Sequence, residues 1–370
     1  MTLNLTTHQA RLLHMRAQLL ASPIQQVTAG QLLTKLFAVQ AQNLGAAYQS
    51  LGVRSRGLSE AQISQERQFG TEICWRWSLR GTLHLMTVED ARWFVPLMAE
   101  DLVNGDRLRL EQLGYNESTA KQGVELILSQ LEKQGELTRA EIARLLQENK
   151  LPYEGQAIVH ILFKTVCEAG VCPGADRGSK PTYTLFEKKY GPFKPRPRED
   201  ALAELVLRYL AAYAPARPED FTAWSGVKIS EARSLWSALE KKLLPVEIEG
   251  VSNWMLLKQK SWLDGLEKQA SVLRLLPYYD TYLLGYANRD LIIAKAYTGR
   301  VLKGGVIDAM LALDGWIIGT WKLKPRKSGL DLSLQFFEHQ PKKIWPQIEA
   351  EVERLEQFME KKVSLLTDED

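Results

Sequence analysis

The sequence is poor in the residues that hold metals or carry redox chemistry, with only five histidines and three cysteines among 370 residues. Cys74, Cys167 and Cys172 are odd in number and lack metal-type pairing, so they read as reduced thiols of a cytosolic protein. No phosphate-cradling glycine loop, metal-ligand cluster or Ser-His-Asp grouping stands out, and the sequence therefore predicts no cofactor. Long apolar runs are missing as well. No stretch reaches the roughly 18 apolar residues that a membrane span needs, and MTLNLTTHQARLLHMRAQLL interrupts its apolar positions with His and Arg, unlike a secretory signal. These absences predict a soluble cytoplasmic protein. A large charge excess is also lacking. Lys and Arg number 47 against 44 Asp and Glu, so a nucleic-acid partner has to be argued from where the cations sit.

What remains is ordinary globular composition, and the length predicts two to four domains. Residues 7–21 have helical periodicity, Thr28 is placed to cap a helix running to about Val39, and further helices are expected near 44–51 and 59–69. EICWRWSLRGTLHLMT (72–87) then reads as a β-hairpin turning at Arg80-Gly81. This is the order of a winged helix-turn-helix. A second set follows: a capping box at Thr138 and Glu141, a helix near 154–169 stopped by Gly170, and a hairpin over 171–186. After the basic, Pro-rich joint KKYGPFKPRPRED (188–200), helices at 199–213 and 216–243, broken near Ser225-Gly226, precede a hairpin around Glu249-Gly250. From about 271 the texture becomes aromatic and alternating, with turns at Asp314-Gly315 and Ser328-Gly329 and a closing helix near 343–361. The expected fold is α+β, mainly α: three tandem winged helices over 1–105, 106–190 and 191–270, then a small barrel-like β-domain over 271–370.

Helix-turn-helix units bind duplex DNA by seating one helix in the major groove and placing cations on flanking phosphates. Candidate cations are Arg54, Arg56, Arg76, Arg80, Arg177, Lys180, Lys322, Lys324, Arg326 and Lys327, recurring at wing tips and joints. Singly, each is an ordinary solvated charge. The most unusual local feature is Gln40-Ala41-Gln42. On extended backbone, side chains two apart point the same way and the two amides can converge on one water. On a continuing helix they diverge by about 200° and meet only phosphate or solvent.

Together with WSLRGTLHL (77–85), ALAELVLRYLAAYAPARPEDFTAWSGV (201–227), LLPYYDTYLLGYANR (275–289) and VIDAMLALDGWIIGTWK (306–322), this motif resembles the AlkZ/YcaQ family of bacterial DNA glycosylases in its Gln-X-Gln form. The resemblance runs in order over most of the chain. It implies a monofunctional enzyme that hydrolyses the N-glycosidic bond of N7-alkylated guanine in duplex DNA, interstrand crosslinks included, while the tandem DNA-binding units in one chain make a monomer sufficient. Gln40 and Gln42 would be the catalytic pair that places the attacking water, and Asp280 a nearby negative charge. Asp280 reads equally as a buried structural acid paired with Arg289. Tyr278, Tyr279, Tyr282 and Tyr286 are candidates for stacking on DNA or for the core, and Arg289 is also a candidate DNA contact. His84 reads as structural, and Arg80 either touches phosphate or braces the Gln loop. The competing class is a non-enzymatic winged-helix regulator, separable by its preference for one operator sequence.

Overall fold

The computed structural model describes residues 3–366, and the fold is mixed α+β. A succession of helix, short strand, helix, helix and hairpin recurs along the chain. It first comprises Ala29–Leu36, Ala38–Gln40, Leu44–Gly52, Glu60–Phe69 and the paired strands Ile73–Trp77 and Leu83–Thr87. The second set is Glu117–Gln134, Glu136–Thr138, Arg139–Glu148, Ala157–Glu168 and the hairpin Val171–Arg177 with Lys180–Leu185. The third is Arg198–Tyr213, Pro218–Ser225, Ile229–Ala238 and the hairpin Leu243–Ile248 with Val251–Leu256, where Ala216 bridges to Trp254 in place of the short strand.

Local chemistry sets these boundaries. Thr28, Asn43, Asn116 and Thr138 each accept a backbone N–H of the following first turn, which satisfies a donor the helix cannot pair internally. At Thr138 the Glu141 carboxylate reaches back to the Thr138 amide at 2.6 Å, closing the capping box. Glu249 and Gly250 both take positive φ, the geometry that a two-residue hairpin turn requires. Two elements depart from expectation at their ends: the first helix stops at Ala17, and the helix expected to reach Val39 stops at Leu36. The long helix Val88–Gln112 and the helix Glu117–Gln134 had no sequence assignment at all.

The chain divides into two compact units, one formed by residues up to Ser64 together with those from Leu202 onward, the other by Gln65–Ala201. In the second, Ile127 and Leu131, Ile142 and Leu146, and Ile161 and Val166 put the apolar faces of three helices into one core, closed by Tyr183 and Leu185 of the hairpin. In the first, strand Leu3–Leu5 pairs in parallel with Leu243–Ile248.

The C-terminal sheet corrects the barrel-like expectation. Its strands run in the order Leu273–Leu276, Met310–Leu313, Trp316–Arg326, Gly329–Phe336 and Val363–Leu366, and the first and last remain edges. A barrel buries its inner face by closing on itself. Here the helix Trp345–Met359 does that work, setting Ile348 and Val352 against Leu275, Leu311 and Leu332, so the sheet stays open.

Candidate functional site

The helix Ala29–Leu36 ends abruptly. The residue that caps its carboxy terminus, Phe37, takes φ 71° and ψ −57° while its amide still bonds to the Leu33 carbonyl at 2.7 Å. Ala38–Gln40 is extended, and the Asn43 side chain then accepts from the Ala46 amide at 3.0 Å to start the next helix. Gln40-Ala41-Gln42 thus lies on non-helical backbone between two helices, and its two amides converge. Gln40 Nε2 donates to Gln42 Oε1 at 2.5 Å. Gln40 is 7% exposed, whereas Gln42 is exposed. The Gln40 carbonyl oxygen Oε1 is buried and accepts no hydrogen bond. A buried acceptor left unmatched costs about 1–3 kcal/mol, so this atom is poised to receive a donor.

Of the two readings of Asp280, the buried structural acid fits its surroundings, with a partner other than the one expected. Its side chain is fully buried and faces Arg54, which is also fully buried, at 2.7 Å. The carboxylate further accepts from Ser50 Oγ and the Tyr282 amide, and Arg54 also reaches Gln18 and Thr281. The acid is therefore structural, and its partner is Arg54. Arg289 instead donates to the Leu283 carbonyl. Arg54 is likewise corrected as a phosphate contact, because a guanidinium with no exposed surface cannot reach DNA.

The remaining cations separate by exposure. Arg76 is buried under the rings of Phe186 and Phe193, so it too leaves the set of surface contacts. Arg56 and Arg80 are exposed, and Arg80 occupies the hairpin turn with φ 54°. Arg177 and Lys180 are exposed cross-strand partners in the second hairpin, with Arg177 paired to Glu141 at 2.8 Å. Lys322, Lys324 and Arg326 alternate along one strand and share the sheet face opposite to Trp321 and Leu323, which pack inward; Lys327 is exposed just beyond. That makes a basic stripe on the outer sheet face.

The tyrosines belong mainly to the interior. Tyr282 and Tyr286 are buried, bonding to the Gly315 and Tyr213 carbonyls, and Tyr278 packs partly against the sheet core. Tyr279 is half-buried with φ 55°. His84 is buried with Nδ1 3.0 Å from the Thr82 carbonyl, and burial pushes its pKa down to about 4. Sequence reasoning missed Phe37, whose backbone conformation has no sequence signal, and Asn43, whose position before an apolar helix was a readable cap. Among the described residues, no three His, Cys, Asp or Glu side chains gather as a metal site, and no helix is long and apolar enough to cross a membrane.

Comparison with known proteins gives a consistent result. Residues 33–358 match the family described as DNA glycosylase AlkZ-like. The chain is 27% identical over 315 residues to an interstrand DNA cross-link repair glycosylase of Streptomyces sahachiroi, covering 81% of this chain and 84% of that protein. Its fold is similar to the solved structure of Streptomyces sahachiroi DNA glycosylase AlkZ, with a TM-score of 0.82 at 22% identity over 98% of this chain and all of that one.

Proposed function

The chain belongs to the AlkZ-like DNA glycosylase family, and from that premise we propose that it removes N7-alkylated guanine from duplex DNA, with water positioned by Gln40 and Gln42. The observation that carries this reading is the buried, unpartnered Gln40 Oε1 beside the exposed Gln42 amide. One oxygen is left to accept from a water, and the hydrogen bond between the two side chains fixes its direction.

The chemistry suits neutral amides. Alkylation at N7 leaves the guanine cationic, so the electron pair of the breaking C1′–N9 bond neutralises the departing base and no strong general acid is needed. The enzyme holds water at the sugar face of an oxocarbenium-like transition state, which is positioning and electrostatic work. An amide cannot take the proton of that water at neutral pH, so the proton passes to solvent as the C1′–O bond forms. Asp280 enters only through its buried pairing with Arg54, as a structural group.

The cross-link activity in the name of the Streptomyces relative supports extending the substrate class to N7-linked interstrand crosslinks. A base tied to the opposite strand cannot be fully extruded, so such an enzyme must work in an open cleft. We read the three helix–helix–hairpin successions as tandem winged helices acting on duplex DNA in one monomer, with Arg56, Arg80, Arg177, Lys180, Lys322 and Lys324 as phosphate contacts.

Base release from a duplex carrying one N7-methylguanine, or one N7-linked crosslink, tests the proposal. Wild type should release base, and Gln40→Ala and Gln42→Ala should lose release while retaining duplex affinity. Tight binding without release from either substrate would overturn it.

A further inference from the structure

The amide pair converges only because the chain leaves the helix at Phe37. Had the helix run on through Phe37 to Gln42, the two side chains would have pointed about 200° apart. Its actual conformation, φ 71° and ψ −57°, lies in the γ-turn region that side chains other than glycine adopt only under strain.

The same protein contains the unstrained version. The helix Glu117–Gln134 ends at Gly135 with φ 82° and ψ −56°, and its amide bonds four residues back to Leu131 at 2.9 Å. A three-residue strand and a capped helix follow, as they do after Phe37. Glycine makes this turn at no steric cost. No paired amides follow it.

Phe37 is kept in the strained turn by its surroundings. The ring is fully buried, edge-on to Trp224 at 5.7 Å, and the Arg208 guanidinium lies 5.6 Å from its centre. Arg208 Nη2 also donates to the Thr34 carbonyl at 2.8 Å, capping the end of the same helix. One arginine therefore holds both the helix terminus and the ring beyond it. Trp224 is itself packed on Tyr209 and Tyr213.

We infer that Phe37 is a positioning residue for the amide pair, clamped in its strained turn by Trp224 and Arg208 so that Gln40 and Gln42 share one direction. This rests on the reading of that pair as the water-positioning group. A ring anchored in the core resists rotation of the turn in a way that a glycine cannot, and the turn ahead of the amides is the one that carries a ring.

Single-turnover release of N7-methylguanine from a duplex, measured beside duplex affinity and thermal stability, separates the cases. Phe37→Leu, which keeps apolar bulk but loses the ring contacts, should slow release at least tenfold, and Arg208→Ala should slow it several-fold. Duplex affinity should stay within twofold in both. Gly135→Ala strains the equivalent turn in space free of neighbours, so it should lower the melting temperature and leave the release rate unchanged. Arg208 is partly exposed, so its variant keeps the test valid if Phe37→Leu does not fold. Wild-type rates in folded Phe37→Leu and Arg208→Ala, or an equal loss in Gly135→Ala, would overturn the inference alone. An inactive wild type, or a fully active Gln40→Ala, would instead overturn the reading beneath it.

Discussion

Arg54 and Asp280 meet face to face, with Nη2 2.7 Å from one carboxylate oxygen and Nη1 2.8 Å from the other, and neither side chain has exposed surface. The fork-to-carboxylate geometry is the strongest form of such a pair. It ties the helix carrying Asn43 at its start to a segment more than two hundred residues later, through Ser50, which donates to the same carboxylate.

Breaking that pair from one side should be costly. Asp280→Asn leaves the Arg54 charge buried without its counter-charge, a situation that costs roughly 3–5 kcal/mol. Urea unfolding should show the loss, and the double variant Arg54→Met with Asp280→Leu should recover part of it. A single-variant loss below about 1 kcal/mol would mean that water or another acid reaches Arg54.

Acid should weaken the fold through two histidines. Burial lowers both His14 and His84 to about 4 from the usual 6.5. The unfolded chain takes up protons below about 6.5 while the folded chain does not, so stability is complete above that value and falls as the pH drops toward 4. Each site accounts for up to about 3 kcal/mol over that window. Denaturant midpoints measured from pH 7.5 to 4.5 should show this slope, and a folded His84→Gln variant should flatten it. An identical slope in that variant would assign the acid sensitivity to other groups.

The closing helix should be sensitive to one added carbon. A Cβ on Gly52 would lie 2.5 Å from the Phe358 ring, so Gly52→Ala should cost about 1–3 kcal/mol by overpacking, and adding Phe358→Leu should restore most of it. Thermal unfolding of the three proteins checks this. If Gly52→Ala melts with wild type, the ring moves aside freely.

The outer sheet face should report on DNA through salt. If Lys322 and Lys324 sit on phosphates, replacing each with Gln should weaken binding for all duplex sequences alike and reduce the slope of log K against log salt by about 1 per contact. Unchanged slopes would remove this face from the DNA surface.

Much of this was legible in the sequence because the signals were local. Thr138 with Glu141 announced its capping box, and Glu249-Gly250 its hairpin turn, since the residues involved are neighbours in the chain. The amide pair was legible as residue types, but its orientation hung on Phe37, a ring that nothing in the sequence marks for a left-handed turn. The burial of Arg54 and Arg76 was not legible at all. A basic residue reads as surface until its partner is known, and Asp280 and Phe186 lie more than a hundred residues away from their respective arginines. The open sheet escaped for a related reason: alternation shows that a strand has a buried face, not whether a helix or a curled sheet covers it.

The parallel pairing of Leu3–Leu5 with Leu243–Ile248 bears on how the protein is made. On a ribosome, the core cluster formed by residues between Leu110 and Leu185 is complete once residue 201 has emerged, and it can mature while synthesis continues. Leu3–Leu5 and Arg54, by contrast, must wait for their partners Leu243–Ile248 and Asp280 to be made. Nascent-chain length, more than thermodynamic stability, should therefore decide when this protein is most exposed to chaperones and proteases.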